Sequence, residues 1–298
     1  MPASLPAAPA INRSLFAAVA ALFIFFWASG FIAAKYGLPY AEPFTLMACR
    51  FAAASVVMIP VCYFLKAVWP KSRRQVVHIL IASFLVQTVY LMGVYSGINL
   101  GVSTGVTALV VGLQPLLTGV LAGVLLQEKV TARNWIGLSL GFAGLALVVW
   151  DRIAAPGESL WGLGLCVIAL LGITFGTLYQ KKFCGPFDVR AGVALQNVIS
   201  GIVIVALAYS FETMEIEWTG EFVFAVLWSA VGLSVIASCL YYWMIQRGAA
   251  ARVTSLIYLS PPTTAVMGWM VFGETLSWMA IGGMALATGG VALALRTR

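Results

Sequence analysis

Few side chains in this 298-residue chain can do chemistry, and most stand alone in apolar surroundings. Arg50 is the one charge inside a long apolar run, and Gln87, Gln114, Ser234 and Ser260 are polar groups within runs of their own. Trp27, Tyr90, Tyr241 and Tyr258 add aromatic faces. These groups suit holding a small molecule rather than breaking its bonds. A guanidinium draws a carboxylate, and a carboxamide both donates and accepts. A ring stacks on an apolar body or holds an ammonium by cation–π attraction. Catalysis would need a histidine cluster, paired carboxylates or an activated nucleophile. His78 is the only histidine, which excludes a multi-histidine metal site, and none of the ten acidic residues falls mid-run. The five cysteines (Cys49, Cys62, Cys166, Cys184, Cys239) have no CxxC spacing and read as small packed side chains. No phosphate-binding glycine loop is present, so no nucleotide chemistry and no cofactor are expected.

The elements that must position these groups are membrane spans. Hydrophobic residues make up 62% of the chain and charged residues 9%, against about 25% charged in soluble domains. Mean hydropathy is +0.99. Too few polar residues remain to face water, so lipid is the solvent. A spanning helix takes about 20 apolar residues. Such runs lie at 14–34, 44–65, 76–98, 103–126, 133–150, 160–180, 190–210, 222–245, 253–273 and 277–295. The first is too long for a cleaved signal and reads as a retained span.

The net charge of +7 does not point to nucleic acid, because the basic residues sit in short connections rather than in a stripe. Alternate connections hold 14 of the 17 basic residues, the other connections hold Lys35 and Arg152, and Arg50 lies within a span. By the positive-inside rule both termini are cytoplasmic and the number of crossings is even, here ten.

A shift of 146 positions lays the second half of the chain on the first. Pro115 then meets Pro261, Lys35 meets Lys181, Tyr95 meets Tyr241 and Glu128 meets Glu274. Gly137 and Gly144 meet Gly283 and Gly290 at the same shift. Five spans per half is an odd number, so the halves enter the membrane from opposite sides, an arrangement typical of secondary transporters. The organisation expected is a cytoplasmic tail (1–13) followed by a first repeat (14–150) and a second (160–295).

Gln87, Gln114, Ser234 and Ser260 fall near the midplane, where a substrate would sit between the halves. Their other reading is interhelical hydrogen bonding that holds the bundle together. Pro115, Pro261 and Pro262 interrupt helix ladders at the same depth and offer hinges, or else static kinks. Arg50 either meets a substrate carboxylate near the outer mouth or snorkels and braces helix carbonyls. Trp27, Tyr90, Tyr241 and Tyr258 either line the cavity or serve in packing and interface belts. Tyr90 and Tyr95 lie about 140° apart around an ideal helix, so only Tyr90, on the side of Gln87, is expected to face the cavity. Glu128 and Glu274 stand at span ends as structural residues, followed by Thr131 and Ser277 as helix caps. With no acid at midplane, transport is expected without a proton relay.

The runs "GLQPLLTGVLAGVLLQEKVTARNWIGLSLGFAGLALVV" (112–149) and "YLSPPTTAVMGWMVFGETLSWMAIGGMALATGGVALAL" (258–295) resemble the two EamA repeats of the drug/metabolite transporter superfamily. "FFWASGFIAAKYG" (25–37) is similar to the opening helix of that family, and Arg50-Phe51 to the motif of its second helix. The resemblance covers nearly the whole chain. It implies an all-α membrane protein of ten transmembrane helices, built as two inverted five-helix repeats around a central cavity. Helices 1, 3, 4, 6, 8 and 9 would line that cavity and helices 5 and 10 would pack outside. It favours the bracing role for Arg50. It further implies a bacterial inner-membrane exporter of small metabolites, amino acids above all, including a branch that exports aromatic ones. The alternatives are a drug or cation exporter and a sugar or nucleotide-sugar carrier. The partners expected are a small-molecule substrate and membrane lipid, and a monomer suffices.

Overall fold

The computed structural model describes residues 13–70, 72–125, 132–153, 159–184, 187–237, 240, 244, 259–275 and 277–295. These residues are helical throughout, apart from short connections and one isolated bridge between Ala41 and Ile216. The helices are α1 (Arg13–Gly37) and α2 (Pro43–Phe64), then α3 (Arg73–Asn99) and α4 in two pieces (Thr104–Gly112 and Gln114–Leu125). They continue with α5 (Ala132–Ile153), α6 (Leu160–Phe183) and α7 (Val189–Phe211). Last come α8 (Gly220–Ala237), α9 (Ser260–Phe272) and α10 (Trp278–Leu295). Among the described residues, seven helices are long and apolar enough to cross a membrane: α1 to α4 and α6 to α8. The expected spans 222–245 and 253–273 run into residues 238–258, of which only Leu240 and Met244 are described.

Local sequence explains where the helices begin. Pro43 occupies the first turn of α2, where its missing N–H costs nothing. Ser103, Ser159, Asp188 and Thr219 cap α4, α6, α7 and α8 by accepting from backbone N–H groups one turn in. Ser277 accepts from Ala280 N at 3.0 Å and caps α10 in the same way. Gly273, at a φ of 65° that other residues avoid, ends α9.

Two apolar cores hold the helices together. One joins α4, α5, α6, α9 and α10 through residues such as Leu113, Leu145, Leu170 and Met284. The other joins α1, α2, α3, α7 and α8 through Phe31, Phe51, Tyr95, Ile204 and Phe222. Lipid is as apolar as leucine, so close backbone approach has to supply much of the helix–helix attraction. Gly144 and Gly283 bring α5 and α10 together: a Cβ on Gly144 would collide with the Gly283 carbonyl and lie 2.7 Å from Ala287 N.

The connections cluster at two ends of the bundle. At one end Glu212, after α7, accepts from Phe44 N and Thr45 N at 2.7 Å each, closing the free N-terminus of α2. At the opposite end Asp188 accepts from Val68 N at 3.0 Å and pairs with Arg190 at 2.6 Å, tying the α2–α3 connection to the start of α7. The Arg190 hydrogen bond is the main reason that the Asp188 carboxyl titrates at about 2 rather than 3.8. A lowered folded value means that this stabilisation is complete above 3.8 and is lost as pH falls through about 2. In detergent melts, the stability gap between wild type and Asp188→Asn should be open at neutral pH and close across that interval.

Candidate substrate cavity

Arg50 lies seven residues into α2, about 10 Å along the axis from its first residue at 1.5 Å per residue. Its side chain is 8% exposed. One guanidinium N–H donates to the Tyr95 hydroxyl at 2.9 Å, and the group lies over the Tyr95 ring, 5.9 Å from its centre. Among the described residues no carboxylate pairs with it. A guanidinium has five N–H donors, and the described residues use one of them.

Arg50 faces a cavity of about 170 Å³ between α1, α2, α3, α6, α7 and α8. Trp27, Arg50, Gln87, Tyr90 and Ser234 all line it, together with Tyr95 and Asn197. Apolar walls come from Phe31, Val94, Ile173 and Leu233. Gln87 lies in a π-helical turn, Phe84–Val89, and Tyr90 follows directly after it. A π-turn carries an extra residue and re-aims the side chains beyond it. Ser234 lies in the corresponding stretch of α8, the π-helical segment Trp228–Ala237. Among the described residues nothing hydrogen-bonds the Gln87 amide, which leaves a donor and an acceptor for a ligand.

Tyr95 corrects the expectation that it turns away. The cavity wraps around α3 far enough to take both tyrosines, and Tyr95, 1% exposed, reaches it as the partner of Arg50. Asn197 went unremarked in the sequence. Its amide nitrogen donates to Val193 O at 3.0 Å within α7, and no hydrogen bond to its carbonyl oxygen comes from the described residues. The available signal was an amide deep in the apolar stretch 191–208.

Other expected residues stand elsewhere. Gln114 donates to Thr177 at 3.4 Å and bridges α4 to α6 outside the cavity wall. Ser260 is the buried first residue of α9, and its hydroxyl has no partner among the described residues. Pro115 follows the break of α4 at Leu113, where it cannot donate to the carbonyl four residues back. Pro261 and Pro262 occupy the first turn of α9 as described, and a Cβ on Gly112 would lie 2.8 Å from the Pro261 ring, so the two breaks adjoin. Tyr241, Tyr258 and Glu128 lie outside the described residues.

Glu274 does more than end a span. Its carboxylate accepts from Lys35 at the end of α1 at 2.6 Å, and from the backbone N–H and hydroxyl of Thr104 at the start of α4. Lys35 also lies 4.8 Å from the centre of the Phe272 ring. Burial pushes the Glu274 carboxyl up, but the bonds from Lys35 and Thr104 outweigh it and hold the group below its ordinary value. The clasp joins α1, α4 and the α9–α10 connection at the end of the bundle where Glu212 closes α2.

The EamA-like transporter family matches the chain twice, over residues 14–150 and 160–296. The chain belongs to that family. Among its EamA-like relatives, YedA of Escherichia coli (strain K12), named an uncharacterized inner membrane transporter, is 27% identical over 158 residues, 52% of this chain and 51% of YedA. YvbV of Bacillus subtilis (strain 168), named an uncharacterized transporter, is 26% identical over 170 residues, 56% of this chain and 55% of YvbV. The chain thus matches about half the length of these two relatives. A WAT1-related chloroplastic protein of Arabidopsis thaliana is 24% identical over 271 residues, 88% of this chain and 65% of that one. One solved crystal structure shares the fold with a TM-score of 0.66 at 17% identity, over 95% of this chain and 97% of that one. The chain is a multi-pass membrane protein of the EamA-like transporter family.

Proposed function

We propose that this EamA-like chain is an inner-membrane exporter of small carboxylate-bearing metabolites, amino acids among them, working by alternating access. The observation that carries this reading is Arg50, a buried guanidinium facing a cavity with no acid among the described residues beside it. Burying a lone cation costs several kcal/mol, about 2.5–3.5 even on insertion scales. An arriving carboxylate offsets that cost, whereas a drug-like cation would meet the same charge with nothing to balance it. The sugar-phosphate alternative lacks a second described cation in the cavity wall.

Ten helices in two inverted halves, 14–150 and 160–295, with both termini cytoplasmic, complete the proposal. Helix pairing supports it: α4 packs on α9 and α5 on α10, while α2 packs on α7. These are the pairs that a pseudo-twofold axis brings together. The π-turn Phe84–Val89, moved by 146, becomes 230–235, which falls inside the π-helical segment Trp228–Ala237. The expected energetics are exchange or facilitated diffusion, since no carboxylate among the described residues lines the cavity to carry protons.

The test is uptake of labelled amino acids and organic acids into proteoliposomes. Saturable uptake that Arg50→Gln removes supports the reading, and accumulation strictly driven by a pH gradient contradicts its energetics. In this reading the Lys35–Glu274–Thr104 clasp holds the outer end shut. Glu274→Gln should then raise, about three- to tenfold, outside labelling of a cysteine placed at Val94 in a cysteine-free background, as expected from about 1 kcal/mol of lost charge-assisted bonding.

A further inference from the structure

We propose that the preferred cargo is an organic monoanion, a monocarboxylate with an apolar or aromatic body and no ammonium group. This rests on the reading of Arg50 given above and narrows it. None of the seven acidic residues with described side chains belongs to the cavity wall. They stand at helix ends and connections, Asp188 and Glu274 among them. Glu128, Asp151 and Glu158 fall by sequence in or beside the connections that flank α5. Residues 238–258, of which only Leu240 and Met244 are described, contain no Asp or Glu. Among the described residues the cavity wall therefore carries a single fixed charge, the +1 of Arg50.

A zwitterion would satisfy Arg50 with its carboxylate and then leave its ammonium, two bonds away, in the field of the same guanidinium. The acceptors within reach among the described residues are neutral: the Gln87 amide, the Asn197 carbonyl and the tyrosine hydroxyls. Ring faces at Trp27 and Tyr90 attract cations only weakly by comparison with a full counter-charge. A 2-oxo acid has the same skeleton and carboxylate without the ammonium. Its keto oxygen can accept from the Gln87 amide, and its body meets Phe31, Ile173 and Leu233. Net transport of such a cargo moves one negative charge across the membrane.

The experiment uses wild-type protein in proteoliposomes and matched pairs of labelled compounds: phenylpyruvate with phenylalanine, and 2-oxoisocaproate with leucine. Phenylalanine amide serves as the cationic control. Each 2-oxo acid should exceed its amino acid by at least about tenfold in initial uptake at equal concentration, because like charges set side by side in a binding site cost several-fold to many-fold in affinity. A potassium diffusion potential of about 100 mV, positive inside, should raise accumulation of the 2-oxo acid by up to about 50-fold, the limit for one charge. The same potential should leave amino-acid uptake unchanged. Uptake of the amino acid equal to or above that of its 2-oxo acid, or 2-oxo acid uptake indifferent to potential, overturns the monoanion assignment. If Arg50→Gln still abolishes flux in that case, the carboxylate-transporter reading survives without it. Transport of the amide in preference to both, or no saturable flux of any of the compounds, overturns both readings.

Discussion

Arg50→Leu should fold at least as stably as wild type while losing carboxylate transport by roughly thirtyfold to several thousandfold. Truncating one member of a buried charge pair costs about 2–5 kcal/mol of binding. The pair in question exists only when substrate is bound, because no described acid meets Arg50 in the empty cavity. In the free protein the guanidinium has one bond to the described residues, that to Tyr95, set against the cost of burial in the membrane. Replacing it with leucine removes that cost, and apolar replacements of buried charges are often neutral or stabilising. Uptake assays and detergent melts on the same variant separate two roles. Loss of flux with an unchanged or raised melting temperature marks a substrate-binding residue. Loss of stability comparable to loss of flux marks the brace favoured by family resemblance. Tyr95→Phe deletes only the hydroxyl that orients Arg50 and should fall between wild type and Arg50→Leu.

Gly144→Val should destabilise the protein by about 3 kcal/mol or more, at or beyond the upper end of overpacking effects. Its first added atom would strike the Gly283 carbonyl, with Ala287 N and Cβ beside it. Neither neighbour is the free end of a flexible side chain, so relief demands moving α5 off α10. Gly282→Val is the matched control, since a Cβ there meets nothing within 4 Å. Thermal inactivation in detergent, followed by size exclusion, should show early aggregation for Gly144→Val and near wild-type behaviour for Gly282→Val. Equal behaviour of the two would mean that glycine contact is not what joins these helices.

Legibility of the site depended on which coordinate was being read. Depth along the membrane normal was legible, because hydropathy reports where each run begins and ends. Arg50, Gln87 and Ser234 were found from depth alone, and all three line the cavity. Rotation about each helix axis was not legible. A helix that is apolar all round leaves no polar face to mark its inner side, and this chain has several. Gln114 has the depth of a ligand-binding amide but turns to Thr177 instead. Tyr95 was set aside by counting 100° per residue, which says how far apart two side chains point but not how far a cavity reaches around the helix. The π-turns depend on hydrogen bonds shifted by one residue, and apolar composition carries no mark of that choice.

Sequence alone determined that the chain is a multi-pass membrane protein, where most of its described helices start and stop, and that its two halves match one family. The first two follow from the cost of placing polar groups in hydrocarbon, a property of residue type and order. Tertiary structure alone decided that Arg50 meets Tyr95, that Asn197 joins the cavity and that Glu274 clasps α1 to α4 across 239 residues of chain. These depend on how helices rotate and approach each other. Glycine contacts and buried hydrogen bonds between distant segments set that arrangement, and such contacts come into being only when the bundle closes.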